Sequence, residues 1–145
     1  MKISGPGMCP FAFSAASVQA GECPADQIAD GARTSGETAP VGVTDTVLSA
    51  IDLSDKGPAF AGHMLRLRRL EIAAGGVVPW HDHTDRPALI MIADGEITEF
   101  RSDCSVGITH KAGDISKEVA GIMHWWKNEG TAPATLFAAD IKNDK

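Results

Sequence analysis

The chain has 145 residues, of which 43% are hydrophobic and 22% charged, the balance of one soluble globular domain rather than a disordered chain. Lys and Arg number 13 against 19 Asp and Glu, a formal net charge of −6. That sign repels phosphate backbones and argues against a nucleic-acid partner. No apolar run is long enough for a membrane-spanning helix.

Residues 1–20 leave two readings open. Lys2 precedes a weakly apolar stretch with Met8, Phe11, Phe13 and Val18, and Val18-Gln19-Ala20 has the small residues that a signal peptidase accepts. Gly5, Pro6, Gly7 and Pro10 break the helix such a region forms, so the alternative is a disordered leader or cloning scar. The first reading implies a periplasmic or secreted protein and the second a cytoplasmic one. The cysteines are Cys9, Cys23 and Cys104. Cleavage after Ala20 leaves Cys23 and Cys104, which in an oxidising compartment can tie the N-terminal arm to the domain; in a reducing cytosol they are unrelated thiols. The absence of any Cys-x-x-Cys pair leaves no sign of a zinc knuckle or thioredoxin-type site.

Residues 21–43, rich in Gly, Ala, Thr, Asp and Pro, read as an arm or linker, and residues 44–145 as the folded domain. Val47, Leu48 and Ile51 mark a strand closed by Ser54-Asp55-Lys56-Gly57-Pro58. Residues 63–73 alternate as a half-buried strand does, with the arginines among residues 66–69 on a wet face. The apolar phase shifts between Leu65/Leu67 and Leu70/Ile72, which predicts a β-bulge near Arg68-Arg69. Gly75-Gly76 opens a loop carrying Pro79, His81, His83 and Pro87. Residues 88–93 are apolar on both faces and predict a buried strand. Asp94-Gly95 is a hairpin turn into residues 97–101. Gly113-Asp114 leads into a strand over 115–119, Gly121 into one over 122–127, and Asn128-Glu129-Gly130 into one over 134–141. Short strands between glycine turns, with no amphipathic helix and no repeat, indicate a single all-β sandwich or barrel.

His81 and His83 are two apart, so on a strand both imidazoles face the same side. His124 stands on another predicted strand. Three neutral nitrogen donors on rigid strands leave coordination positions open, the layout of a catalytic rather than a closed structural metal site. Asp82 alternates away from that point. Arg86 is a candidate either for holding a substrate carboxylate or for an ion pair with Asp82 or Asp85 on the rim. His63 and His110 fall in no motif and are expected at the surface or at strand ends. One of Trp125 and Trp126 is expected inward as an aromatic wall, the other outward, where it suits a homodimer interface. Met64, Met91 and Met123 are expected as core filler.

Gly75, His81-Asp82-His83 and Gly95 resemble the first signature motif of the cupin superfamily, and Gly113, Ala120-Gly121, His124 and Asn128 the second. The resemblance spans residues 62–140. Trp80-His81-Asp82-His83 and His124-Trp125-Trp126-Lys127-Asn128 are further similar to tracts of small exported bacterial cupins. What the resemblance implies is a single-domain jelly-roll β-barrel with a metal at one mouth. The chain departs from the pattern at Ala88, where the first motif normally places a Glu ligand, and at Val119, where the second normally has Pro. Alanine cannot ligate, so the implied sphere is His81, His83 and His124 alone. Similar three-His cupins include thiol and diketone-cleaving dioxygenases, which use iron; this chain has no Tyr and cannot carry the tyrosine that thiol dioxygenases place beside the metal.

The expected function is a mononuclear metal enzyme acting on a small organic molecule, an Fe(II) dioxygenase by preference, though imidazole donors also accept Zn, Ni, Cu and Mn. A metal-dependent lyase or isomerase would need a base, for which Asp85 and Glu118 are the candidates. The remaining alternatives are a non-catalytic barrel holding a metal or small ligand, and a barrel with no metal.

Overall fold

The structure, a computed structural model, describes residues 21–144. Residues 1–20, with Cys9 and both readings of the leader, lie outside the described residues, as does Lys145. Eight strands follow in order: β1 (Val41–Asp52), β2 (His63–Asp82), β3 (Ala88–Asp94), β4 (Glu96–Arg101), β5 (Ile108–Lys111), β6 (Ile115–Glu118), β7 (Met123–Lys127) and β8 (Ala134–Asn143). They form one antiparallel sheet in the order β5-β4-β7-β2-β8-β3-β6, with β1 also paired to β2, curled into a nearly closed jelly-roll barrel. Among the described residues the helical segments are three short 3-10 turns.

β2 organises the barrel. Its first half pairs with β1 and β8, and its second half with β7. The loop expected at Gly75-Gly76 is instead a bend within this 20-residue strand. Gly75 has φ +74°, open to glycine but strained for other residues. A Cβ on Gly76 would lie 2.7 Å from both the Ala73 carbonyl and the Ile72 side chain. Asn128 staples the bend from the other side. Its backbone N–H donates to Gly76 O, its carbonyl accepts from Gly75 N, and its buried side-chain amide donates to Ile72 O at 3.0 Å and Ala132 O at 2.8 Å.

The expected wet face and bulge at Arg68-Arg69 are corrected. β2 pairs with β8 without a slip from His63 to Ile72. Arg66, Arg68, Leu70 and Ile72 share the inward phase, while Leu65 and Leu67 are exposed. The irregularity beside Arg68 belongs to β1, whose register against β2 shifts between Val47 and Ser49, as it does again between Val41 and Val43. The apolar phase changed in the sequence because the interior of this barrel is apolar at one level and ionic at the next. Leu70, Ile72, Ile90, Ile92, Ile97, Trp126 and Leu136 form the core. Beyond it, buried Asp140 on β8 takes a two-pronged ion pair from Arg66, at 2.9 and 2.8 Å, and lies 3.2 Å from Arg68 Nε.

β3 is buried on one face only. Ala88, Ile90 and Ile92 point inward while Leu89 and Met91 are exposed, because nothing among the described residues packs on the outer wall there. The methionines are likewise not core. Met91 takes the outer phase, Met64 and Met123 are half-buried, and the inward phase of β7 belongs to His124 and Trp126. β5, with Ile108 and His110 inward, is a strand that the sequence reading did not assign.

The N-terminal arm is bound to the barrel wall. Cys23 and Cys104 form a disulfide, and Ile28 bridges to Cys104 in antiparallel fashion. Trp125, the outward tryptophan, stacks on Phe100 with ring centroids 4.3 Å apart, and Arg33 lies over the same Phe100 ring. Gly36 passes so close that a Cβ there would fall 2.2 Å from the Trp125 ring. Trp125 is therefore covered by the chain's own arm.

Two stability outcomes are expected. Replacing both Cys23 and Cys104 by Ala, in an 81-residue loop, lowers unfolding free energy by about 4 kcal/mol on the chain-entropy account, measured by denaturant melts. Gly36→Ala destabilises by roughly 1–3 kcal/mol, the range for overpacking, and speeds proteolysis of the arm.

Candidate metal centre

The first two histidines come from the bent end of β2 and the third from β7. His81 and His124 face each other across the β2–β7 ladder. Val78 pairs with Trp126, yet three residues later His81 pairs with His124, only two residues before Trp126. This bulge holds Pro79, which has no N–H to give to a ladder, and it lets both Val78 and His81 point inward. The Trp80 N–H in the same bulge donates to Glu37 O of the arm at 2.6 Å. His83 follows just after β2 and is buried.

The three rings converge. His81 Nε2 lies 3.0 Å from His83 Nε2 and 3.3 Å from His124 Nε2. Each Nδ1 faces an acceptor: Pro79 O at 2.7 Å for His81, Arg86 O at 2.7 Å for His83, and Glu99 Oε1 at 2.6 Å for His124. Acceptors at all three Nδ1 positions assign the proton there, so every Nε2 turns a lone pair to the same small volume. Three lone pairs at that separation repel unless a cation lies among them. Metal–imidazole bonds of about 2.0–2.1 Å put neighbouring nitrogens at this spacing. The residues fit a divalent metal, and the protein chain supplies the outer acceptors that such histidines use. Burial, the largest cause, holds the His81 and His83 imidazoles at about 4, so both are neutral at pH 7.

Behind His124 lies a second buried layer. Glu99 Oε2 accepts from His110 Nε2 at 2.9 Å, and Glu118 Oε2 is 3.1 Å from His124 Nδ1. Burial opposes charge on Glu99, but the hydrogen bonds from His110 and His124 outweigh it and hold this carboxyl below its usual range. Burial and the Glu99 charge push Glu118 up to about 6. Glu99, Glu118 and His124 also present ligand atoms within 4.8 Å of one another, but the lone pair of His124 points the other way, to His81.

A cavity of about 310 Å³ opens in front of the triad, lined by His81, His83, Arg68, Arg86 and Asp45 with apolar walls that include Val78, Ile90 and Trp126. Trp126 is the inward tryptophan. Arg86 lies on this cavity, 3.6 Å from Asp140; it does not bridge to Asp82 or Asp85. Burial and the Arg68 charge lower its pKa from the ordinary value. Asp85 is exposed and lies outside the cavity lining, because it turns outward in the β2–β3 connection. Ala88 is inward and buried, between Glu118 and Asp140 as its cross-strand partners. His63 sits at the start of β2, as expected, whereas His110 is fully buried and bonded to Glu99. Glu99 was missed altogether. Its only signal is a charge two residues from Ile97, on the buried phase of β4.

No family model matches the sequence. The chain is 31% identical over 104 residues to germin-like protein subfamily 3 member 3 of Arabidopsis thaliana, covering 68% of this chain and 49% of that protein. Among solved structures it resembles the cupin domain of Schizosaccharomyces pombe Cnp3, with TM-score 0.57, 15% identity, and 70% and 66% of the two chains covered. It also resembles a predicted oxalate decarboxylase of Thermotoga maritima, with TM-score 0.57, 20% identity, and 83% and 98% covered. These likenesses, with the barrel and its histidine-bearing mouth, define a cupin fold. The chain thus has the cupin fold and is similar in sequence to a germin-like protein over about two thirds of its length. It spans about half the length, or less, of the curated relatives it matches.

Glu99→Gln removes the charge that fixes His124. The expected result is a metal affinity about 10–100-fold lower, with far-ultraviolet circular dichroism unchanged, read by competition with a chromophoric chelator.

Proposed function

We propose that the protein binds one divalent metal through His81, His83 and His124 and acts as an oxygenase on a small organic molecule held in the adjoining cavity. The observation that carries this reading is the meeting of three Nε2 lone pairs whose Nδ1 atoms all face acceptors. A metal bound there supplies a Lewis-acid centre with positions open to substrate and O₂. Iron is preferred, on the resemblance to three-His dioxygenases; the same donors accept Zn, Ni, Cu or Mn.

The chain's own residues supply the rest. Val78, Ile90, Leu136 and Trp126 shape an apolar chamber that keeps water from the substrate body. Glu99 keeps the His124 proton on Nδ1 and the ring in position. A lyase or isomerase is less well served, because the carboxylate lining the cavity, Asp45, is committed to Arg68, Asp85 is exposed and Glu118 lies behind His124. The Cys23–Cys104 disulfide supports an oxidising compartment, periplasmic or extracellular. No helix among the described residues is long and apolar enough to cross a membrane.

Protein purified without a histidine tag is expected to carry about one metal per chain by elemental analysis, and His81→Ala to lose it. With Fe(II) restored, oxygen uptake is expected on one of a panel of thiols, diketones and phenolics. Full metal content in His81→Ala overturns the ligand assignment. Stoichiometric metal with no oxygen uptake across the panel leaves the non-catalytic binding barrel as the better reading.

A further inference from the structure

The ionic layer of the barrel lies beside the cavity and is not charge-balanced. Three guanidinium groups, Arg66, Arg68 and Arg86, meet two carboxylates, Asp140 and Asp45. Arg66 occupies both oxygens of Asp140, at 2.9 and 2.8 Å. Arg68 is shared between Asp45 and Asp140 Oδ2. Arg86 is left over. Its nearest carboxylate oxygen is 3.6 Å away and already engaged by Arg66, and its guanidinium makes no hydrogen bond among the described residues. It is held half-buried at the cavity wall, with Arg68 on the same wall. The histidines add no negative charge, and neither does Ala88. A half-buried cation with unused donors, in an enclosure otherwise walled by Val43, Leu70, Val78, Ile90, Leu136 and Trp126, is only partly compensated, by the shared Asp140 carboxylate, until an anion arrives.

We infer that the cavity is a receptor for a small organic monocarboxylate with an apolar body, its carboxylate held by Arg86 beside Arg68 and its other end turned to the three histidines. This rests on the proposed function in placing the reacting end at the metal. The carboxylate grip stands on the arginines alone. A planar guanidinium offers two parallel N–H donors to a carboxylate and so fixes direction as well as charge. Asp140 serves as the positioning group. It is fully buried and pinned by Arg66, so it holds a negative point toward which Arg68 and Arg86 lean, but it lacks a free oxygen to saturate them. The volume, about 310 Å³, is at the small end of ligand sites, which run from roughly 300 to 1,000 Å³. The site therefore suits a compact acid.

The test uses the full chain, with metal content measured on the same samples. Hexanoate and phenylacetate are titrated against their neutral amides, hexanamide and phenylacetamide, by calorimetry and by tryptophan fluorescence, since Trp126 lines the cavity. The carboxylates are expected to bind about 10–100-fold more tightly than the amides, the range for a hydrogen bond to a charged group. Arg86→Met is expected to erase that preference while keeping metal content and melting temperature. Equal binding of acid and amide by the unaltered protein overturns the inference without any variant, as does an unchanged preference in Arg86→Met. Arginine-dependent carboxylate binding in protein that takes up no metal supports the inference and sinks the metal reading instead. Stoichiometric metal with no carboxylate preference does the reverse.

Discussion

The site depends on one electrostatic constraint: three imidazole lone pairs are forced together at the mouth of a barrel. Their spacing is set from behind, where the Nδ1 edges face two backbone carbonyls and a buried carboxylate. Hydrogen bonds to ring nitrogens decide both the tautomer and the ring plane. The carbonyls of Pro79 and Arg86 belong to the same chain segment as the histidines they orient, so this part of the site is built locally. The Glu99 carboxylate comes from β4, the neighbour of β7, and makes His124 the residue whose position depends on the sheet.

That arrangement requires β2 to be long, bent and bulged. The bend at Gly75-Gly76 lets one strand serve both halves of the barrel, and Asn128 makes it rigid by joining the turn after β7 to the backbone of β2. The bulge at Pro79-Trp80 then re-aims His81. Outside, the Glu37 carbonyl of the arm accepts from the Trp80 N–H in this same bulge, and the arm covers Trp125 on the adjacent strand. The disulfide anchors that arm at Cys104. A covalent link on the wall thus runs, through about a dozen residues of arm, to the segment that carries two of the three histidines.

The barrel interior is divided by chemistry. Apolar side chains close one level, Glu99, Glu118, His110 and His124 form a buried polar layer behind the triad, and Arg66, Arg68 and Asp140 form an ionic layer beside the cavity. Buried charges are tolerated when paired and hydrogen-bonded, and breaking such a pair is far more damaging than never having built it. Both polar layers therefore depend on their pairing being complete.

Much was legible from the sequence alone, because it rested on local periodicity and on glycine. His81-x-His83 at strand spacing, the turn glycines and an all-β sandwich or barrel follow from side-chain alternation and from backbone conformations that other residues rarely adopt, while the jelly-roll barrel and the His124–Asn128 tract are what the cupin resemblance implied. The possible Cys23–Cys104 pairing was visible as well, although nothing in the chain chose between bridge and free thiols. Tertiary structure decided whatever depends on which way a charged residue faces. Alternation places Arg66 and Arg68 on one side and Leu65 and Leu67 on the other, and hydrophobicity alone assigns the arginines to water. Only the partner strand reveals Asp140 waiting inside. The same holds for Glu99 and His110, polar residues whose burial becomes affordable only because β4, β5 and β7 bring them into hydrogen-bonding reach. Periodicity is a property of one strand, whereas compensation of a buried charge is a property of two.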